Sequence, residues 1–299
     1  MSIEVVNLCK DYGGRRAVHD VSFSVPSGSV FAFLGENGAG KSTTIGCITT
    51  TLAPTSGVIS VSGYDVEHHP HDVRASIGAV FQSSLLDPLL SVRENLAVRA
   101  GFYGLDTREA GRRIGTLSDL VGLGSFLERR YGTLSGGQKR RADIARALVH
   151  EPRVLFLDEP TAGLDPQSRE RIWATIHELR ATAGTTVFLT THYMEETENA
   201  DRVCIIDRGR IIAGGTPAQL RSRYSSSILT VRSEDHAGVI AACRARGIDV
   251  RAVGVDLVIP MASSQTAKEL LAVLPIDDFE FRHGTMDDVF LTLVGGADA

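Results

Sequence analysis

The chain has 299 residues, 43% of them apolar, and a net charge of −5, enough for one large folded domain and a smaller one. Its apolar runs fall far short of the roughly 20 residues a membrane-spanning helix needs. The opening MSIEVVNLCKDYGG lacks the charged-then-apolar pattern of a secretion signal, and the acidic balance gives no electrostatic reason to expect nucleic acid as a partner. A cytoplasmic location is therefore expected. Cys9, Cys47, Cys204 and Cys243 are scattered along the chain and read as buried thiols, with no spacing that suggests a zinc site or a redox pair.

Residues 3–34 alternate short β-type runs and turns: 3–6, a Gly13-Gly14 turn, 21–25, a Pro26-Ser27-Gly28 turn, then 30–34. From Lys41 onward helical and strand patterns alternate, with strand-like runs at 58–61, 76–81, 154–157, 186–190 and 203–207. Helical stretches at 138–150 and 168–181 lie between them. Such alternation predicts a mainly parallel sheet flanked by helices, and the region from about 83 to 134 reads as a helical insertion. Composition shifts at the polar, Ser-rich stretch 221–227. Beyond it the order is strand 228–232, helix 237–246, strands 249–253 and 256–260, helix 265–274, strand 278–282 and helix 286–294. That βαββαβ order suggests a small ferredoxin-like domain. The expected division is 1–222 and 225–299.

Gly35-Glu36-Asn37-Gly38-Ala39-Gly40-Lys41-Ser42 fits the phosphate-binding pattern G-x-x-x-x-G-K-[ST], with a β-run before it and a helical pattern opening at Lys41. Glycines let successive backbone N–H groups surround phosphate oxygens, and the following helix points its positive end at the same place. Lys41 supplies a full charge to the terminal phosphates. The Ser42 hydroxyl can ligate Mg²⁺, and Thr43 follows it in the first turn. Alone, this pattern says nucleotide binding and little more.

Four further segments narrow the reading. Leu134-Ser135-Gly136-Gly137-Gln138 precedes the run KRRADIARALVHEP, and the apolar run 154–157 ends in Asp158-Glu159-Pro160. Ala162-Gly163-Leu164-Asp165 follows at once, and Thr190-Thr191-His192 comes after a further strand. In this order and spacing, over about residues 3–220, the chain resembles the nucleotide-binding domain of ABC transporters. The resemblance implies an α/β fold: a P-loop NTPase core with a mainly parallel sheet, an antiparallel β-subdomain and a helical subdomain, followed by a small α+β C-terminal domain. It implies ATP and Mg²⁺ as cofactors and ATP hydrolysis coupled to transport.

The same resemblance assigns roles. Asp158 matches the Walker B aspartate that holds Mg²⁺ through water. Glu159 matches the catalytic glutamate that polarises the attacking water, a division of labour that suits two carboxylates at a strand end. Gln82 matches the glutamine that reaches the metal and the γ-phosphate side, His192 the switch histidine, and Tyr12 the aromatic that stacks on adenine. Ser135, Gly136, Gly137 and Gln138 would form a second phosphate-binding surface at a helix N-terminus. In the family that surface meets the first across a head-to-tail dimer with Asp165 at the interface, so a homodimer with two equivalent sites is expected.

The ending Gly284-Thr285-Met286-Asp287-Asp288-Val289-Phe290-Leu291-Thr292-Leu293-Val294-Gly295 is similar to that of ATPases from ABC-2-type exporters, including the daunorubicin-resistance group. It departs from their S-L-E-D at three places, all by similar residues. A transmembrane permease is the implied partner, with the chain peripheral on the cytoplasmic face of the membrane. A drug, lipid or glycoconjugate is the implied cargo. The apolar surface carrying Phe290 and Leu293 is expected to stabilise or tune the dimer. The leucines of residues 83–90, Leu86 and Leu89 alike, read either as buried within the helical insertion or as an apolar groove that receives a short cytoplasmic helix of the permease. DNA-acting ABC ATPases would carry a long coiled coil between these motifs, translation factors two such domains, and regulatory modules would lose Glu159 or His192. None of these patterns is present.

Overall fold

A computed structural model of the chain describes residues 1–261, 263–274, 276 and 278–295; the last four residues of the expected C-terminal domain, 296–299, lie outside the described residues. The chain divides into two compact units, Met1–Gly215 and Thr216–Ala299. The first contains β1 (Ile3–Tyr12), β2 (Arg15–Val25), β3 (Val30–Leu34), α1 (Lys41–Ile48), β4 (Ser56–Val61), β5 (Tyr64–Asp65), α2 (Pro70–Ser76) and β6 (Ile77–Val80). There follow α3 (Val92–Phe102), α4 (Thr107–Val121), α5 (Gly136–Leu148), β7 (Val154–Asp158), α6 (Pro166–Ala183), β8 (Thr186–Thr191), β9 (Arg202–Asp207) and β10 (Arg210–Gly215).

Two sheets organise this unit. A six-stranded sheet runs β10-β9-β3-β8-β7-β6, parallel throughout except for β10, which pairs antiparallel with β9 at the edge. Its inner strands β3, β7 and β8 are buried at every residue, which is why they read as unbroken apolar runs rather than alternating ones. A four-stranded antiparallel sheet, β2-β1-β4-β5, alternates buried and exposed positions on its longer strands. Its inner face joins one core with α1 and the parallel sheet: Ile3, Val5, Val21 and Ile59 belong to the same cluster as Ile45, Ile48, Phe31, Phe156 and Phe188. Phe23 of β2 bridges the layers, its ring 5.5 Å from Phe31 and 6.0 Å from Phe188, offset geometries that add to area burial.

The helical insertion begins at Ser91, whose hydroxyl accepts from the Glu94 N–H while the Glu94 carboxylate accepts from the Ser91 N–H. This reciprocal cap fixes the start of α3. Asp106 caps α4 by a single bond, its side chain accepting from the Glu109 N–H, and Gly122, in the left-handed conformation, ends the helix.

The second unit opens with α7 (Pro217–Tyr224), then β11 (Ser227–Arg232), α8 (His236–Arg244), β12 (Arg251–Val253), β13 (Asp256–Met261), α9 (Ser264–Leu271), β14 (Asp278–Arg282) and α10 (Met286–Gly295). Its sheet has the order β12-β13-β11-β14, antiparallel at each pairing. Leu229, Val231, Leu257, Ile259 and Met261 pack on Val239 and Cys243 of α8 and Ala267 and Leu270 of α9. The unit thus starts at Thr216, earlier than the boundary of 222–225 read from composition. Half of the polar stretch 221–227 is the last turn of α7, which Thr216, Pro217 and Gln219 start with a reciprocal cap.

The motif ending is also local structure. Asp288 accepts from the Thr285 N–H at 2.8 Å and from Arg282 Nη1 at 2.8 Å, so Thr285-x-x-Asp288 caps α10. The Arg282 guanidinium holds the Asp288 carboxyl below the usual range. Val289 and Phe290 are buried and α10 packs on α7. Phe290 is therefore not surface that a partner subunit can reach, contrary to the expectation above.

Candidate active site

Four neighbouring parallel strands, β3, β8, β7 and β6, deliver the candidate residues at their C-terminal ends, where ligands of open α/β sheets bind. Leu34 pairs with Thr191, Asp158 with Thr190, and Val80 with Leu157. The residues that follow, Gly35 after β3, His192 after β8, Glu159 after β7 and Gln82 after β6, are thereby placed side by side although 157 positions separate the first from the last in sequence (192 − 35).

The loop from Gly35 to Gly40 leads into α1 at Lys41. Gly40 caps that helix in the left-handed region, φ 108°, where a side chain would be strained and its Cβ would stand 3.0 Å from the Ala17 carbonyl oxygen. Glu36, Asn37 and Gly38 are exposed, Ala39 is buried, Ser42 is exposed and Thr43 half-buried at the helix mouth. Lys41 is buried along its stem, and its Nζ donates to the Gly35 carbonyl at 2.7 Å and the Glu36 carbonyl at 3.1 Å. A buried ammonium fixed at a helix N-terminus concentrates positive charge where exposed Ser42 offers a hydroxyl.

Glu159 stands at the centre. Its Oε1 lies 3.3 Å from Lys41 Nζ and 3.3 Å from His192 Nδ1; the histidine contact falls outside hydrogen-bond geometry, leaving that buried Nδ1 unpartnered. The Glu159 backbone is left-handed, φ 48°, a state that costs a non-glycine residue about 1–3 kcal/mol unless its surroundings enforce it. Three bonds enforce it here. Its N–H donates to Thr190 Oγ1 at 3.0 Å, and its carbonyl accepts from Arg140 Nη2 at 2.9 Å and from the Ala162 N–H at 3.3 Å. Thr190 Oγ1 in turn donates to Asp158 Oδ1 at 2.6 Å, orienting the neighbouring carboxylate. Behind them the buried Glu196 carboxylate accepts from the hydroxyls of Thr161 and, at 2.7 Å, Thr191, tying the chain after Glu159 to the chain before His192.

Gln82 lies exposed, two residues past the end of β6, and Arg140 holds the preceding Phe81 carbonyl at 2.8 Å. Tyr12 ends β1 with its ring exposed and the Lys10 ammonium 5.1 Å from the ring centroid. Ser135 caps α5, accepting from the Gln138 N–H while Gln138 Oε1 accepts from the Ser135 N–H. The helix thus begins at Gly136, two residues before the start expected from pattern. A Cβ on Gly137 would meet Ser168 Oγ at 2.3 Å, so glycine lets α5 close on the first turn of α6. Asp165 caps that turn through the N–H and hydroxyl of Ser168 at 2.9 and 2.6 Å, bonds that lower its carboxyl pKa. The structure gathers the candidates into two groups: the loop 35–43 with Asp158, Glu159 and His192, and Ser135–Gln138 with Asp165. Arg140, Thr190 and Glu196 were not singled out from sequence. Arg140 lies in the basic start of the run KRRADIARALVHEP, where nothing in the sequence tells it from its neighbours Lys139 and Arg141, and Thr190 and Glu196 act through partners far along the chain.

A phosphate-binding loop at the end of β3, with adjacent carboxylates ending β7, defines a P-loop nucleoside-triphosphatase. Residues 18–162 match the family model described as ABC transporter. The chain is 39% identical to the daunorubicin/doxorubicin resistance ATP-binding protein DrrA of Streptomyces peucetius, over 98% of this chain and 92% of that one. It is 37% identical to the Nod factor export ATP-binding protein I of Burkholderia orbicola, over 98% and 97%. A dimeric ATP-binding cassette, solved in a post-hydrolysis state bound to ADP and Pi, superposes with a TM-score of 0.66 at 26% identity, covering 72% of this chain and 98% of that one. The chain therefore belongs to the ABC transporter ATP-binding proteins. It is an ATP-binding, ATP-hydrolysing transporter subunit, and among the described residues no helix is long and apolar enough to cross a membrane.

Proposed function

We propose that two copies of this chain form a head-to-tail dimer on the cytoplasmic face of the membrane, and that ATP hydrolysis there drives export of a drug, lipid or glycoconjugate through a separate ABC-2-type permease. The relatives' names support the cargo class, since one is a drug-resistance protein and another an exporter of Nod factor. The dimeric cassette with ADP and Pi supports the assembly. One observation carries the catalytic reading: the Glu159 carboxylate sits 3.3 Å from both Lys41 and His192, at the mouth of the phosphate loop.

In this reading the backbone of residues 35–40 and Lys41 Nζ bind the β- and γ-phosphates of ATP, Ser42 and Thr43 opening the helix beneath them. Tyr12 stacks on the adenine. Glu159 accepts a hydrogen bond from the attacking water and draws off its proton charge as the oxygen approaches the γ-phosphorus. His192, its Nδ1 unpartnered, binds the γ-phosphate, and Gln82 closes on it from β6. Asp158 and Ser42 fit a cation that keeps much of its water: Thr190 occupies Asp158 Oδ1 and leaves the other carboxylate oxygen for the site. A bound Mg²⁺ would neutralise phosphate charge there. Ser135, Gly136, Gly137 and Gln138 present the N-terminus of α5, beside Asp165, to the γ-phosphate held by the other copy. That makes hydrolysis dependent on dimer closure.

Glu159→Gln tests the centre of this scheme. It should leave ATP binding intact and lower turnover by roughly 10²–10⁴, the usual worth of positioned acid–base catalysis, with an ATP-bound dimer accumulating in light scattering. Steady-state phosphate release near the wild-type rate would remove Glu159 from the catalytic role.

A further inference from the structure

We infer that Arg140 is a positioning residue for hydrolysis: it joins the helix carrying the Ser135–Gln138 segment to the backbone of Glu159 and to the peptide that leads into Gln82. The inference rests on the reading of Glu159 as the residue that polarises water.

The observation begins with an edge strand. β6 is the last strand of the parallel sheet, and one side of its backbone has no strand to pair with, a situation proteins resolve by covering the edge. Here α5 and His150, two residues past its end, cover it with side chains. His150 Nε2 donates to the Ile77 carbonyl at 2.8 Å, Arg146 Nη2 to the Ala79 carbonyl at 2.5 Å, and Arg140 Nη1 to the Phe81 carbonyl at 2.8 Å. Alternate carbonyls are therefore taken in turn, and strand and helix form one piece. Of the three, Arg140 alone also bonds the backbone of a candidate site residue. Its other terminal nitrogen, Nη2, donates to the carbonyl of Glu159 at 2.9 Å.

The planar guanidinium has two nitrogens in a fixed fork, so the Phe81 and Glu159 carbonyls are held at a set separation. Both matter. Phe81 immediately precedes Gln82, and Glu159 is held in the left-handed conformation, φ 48°, which aims its carboxylate at Lys41 and His192. The Thr190 bond fixes the N–H side of that residue; on the C=O side the Arg140 bond, at 2.9 Å, is shorter than the turn bond from the Ala162 N–H at 3.3 Å and is the one that ties the carbonyl to α5. Arg140 also lies five residues after Ser135, less than two turns along the same helix. When the N-terminus of α5 docks on nucleotide, the guanidinium transmits the tilt of the helix to Glu159 and to Gln82 together. Burial lowers the pKa of the guanidinium, but an arginine stays charged at neutral pH.

The test compares Arg140→Met, which keeps length and removes both donors, with Arg146→Met, which removes a cap from the same strand and reaches nothing at Glu159. Arg140→Met should lower kcat roughly 10- to 100-fold, as misplacement of a reacting group does, with the KM for ATP and the monomer's Kd for ATP within about twofold of wild type. Arg146→Met should lower the melting temperature and leave kcat at 20–25 °C near normal. In the Glu159→Gln background Arg140→Met should cost nothing further, because residues acting as a unit are not additive. Parallel loss in both methionine variants, weakened nucleotide binding, or an additive loss in the double variant would each overturn the inference. If Glu159→Gln itself proves active, the reading of Glu159 fails instead. Should Arg140→Met not fold, Arg140→Lys keeps the charge, can serve only one carbonyl well, and should show a smaller loss in kcat alone.

Discussion

At the residue scale, the site is held by single polar atoms with two duties each. Thr190 is the clearest: one hydroxyl donates to Asp158 and accepts from the Glu159 N–H, and the residue is fully buried. Thr190→Val keeps the shape and removes both bonds, leaving a carboxylate oxygen and a peptide N–H buried without partners. A loss of about 1–3 kcal/mol is expected, read as a lower urea midpoint with an unchanged slope, together with reduced turnover. Thr190→Ser should restore most of both, and a valine variant as stable as wild type would contradict the account. The candidate residues themselves were legible because their chemistry is local: a glycine-rich loop, two carboxylates after an apolar run, a histidine after the next. Thr190, Arg140 and Glu196 were not legible, since each acts through a residue 19 to 35 positions away (159 − 140, 190 − 159, 196 − 161), and only the sheet order brings those positions together.

At the scale of elements, the buried strands were read nearly to the residue, β3 at 30–34 among them, because a strand covered on both faces is apolar throughout. The elements that sequence reading missed are those whose partners are distant or whose signals are caps: β10, an antiparallel edge on β9, and α7, whose start is Thr216-Pro217. The covering of β6 by α5 and by His150, two residues past its end, was equally hidden, and it carries a pH signature. His150 lies against Tyr103, ring centroids 4.0 Å apart, with Nε2 on the Ile77 carbonyl. Burial, reinforced by Arg99, Arg113 and Arg146 and opposed by that hydrogen bond, lowers its pKa from 6.5 to about 4. The folded state thus refuses a proton that the unfolded chain accepts below pH 6.5. Its contribution is complete above that value and is lost as the pH falls toward 4, amounting to about 2 kcal/mol by pH 5. Urea unfolding at pH 7.5 and 5 should show this loss in wild type and a shallower one in His150→Gln, whose amide can still donate to Ile77. Equal pH dependence in the two proteins would rule out His150 as its source.

At the scale of the whole molecule, the two units divide the work: each sequence motif assigned to ATP lies before Gly215, and the second unit buries its own core. Because α10 packs on α7, shortening the chain at Tyr224 would leave α7 without that neighbour, so the natural cut is after Gly215. The docking surface expected for the proposed permease lies in the first unit, at the leucine-rich segment after Gln82, where apolar side chains stand open. Leu85 is 65% exposed and Leu89 75%, whereas Leu86 is only 8% exposed. Leu85 and Leu89 lie three and seven residues after Gln82 (85 − 82, 89 − 82), the glutamine proposed above to close on the γ-phosphate, and Asp143 anchors the segment by accepting from Ser84 Oγ at 2.6 Å. In the proposed scheme nucleotide state and this surface are linked through those few residues, and by reciprocity a partner bound here would bias the nucleotide site. Sequence alone gave Leu86 and Leu89 equal standing; burial separates them. Leu89→Arg should leave the isolated subunit folded, with ATPase activity within about twofold of wild type, and should abolish recovery of the membrane protein on co-purification, since a single charge at the centre of an apolar contact commonly costs several kcal/mol. Leu86→Arg puts the same charge into the core and should instead lower the melting temperature, taking ATPase activity and recovery down together. Undiminished co-purification and transport with both Leu85→Arg and Leu89→Arg would place the docking surface elsewhere on the molecule.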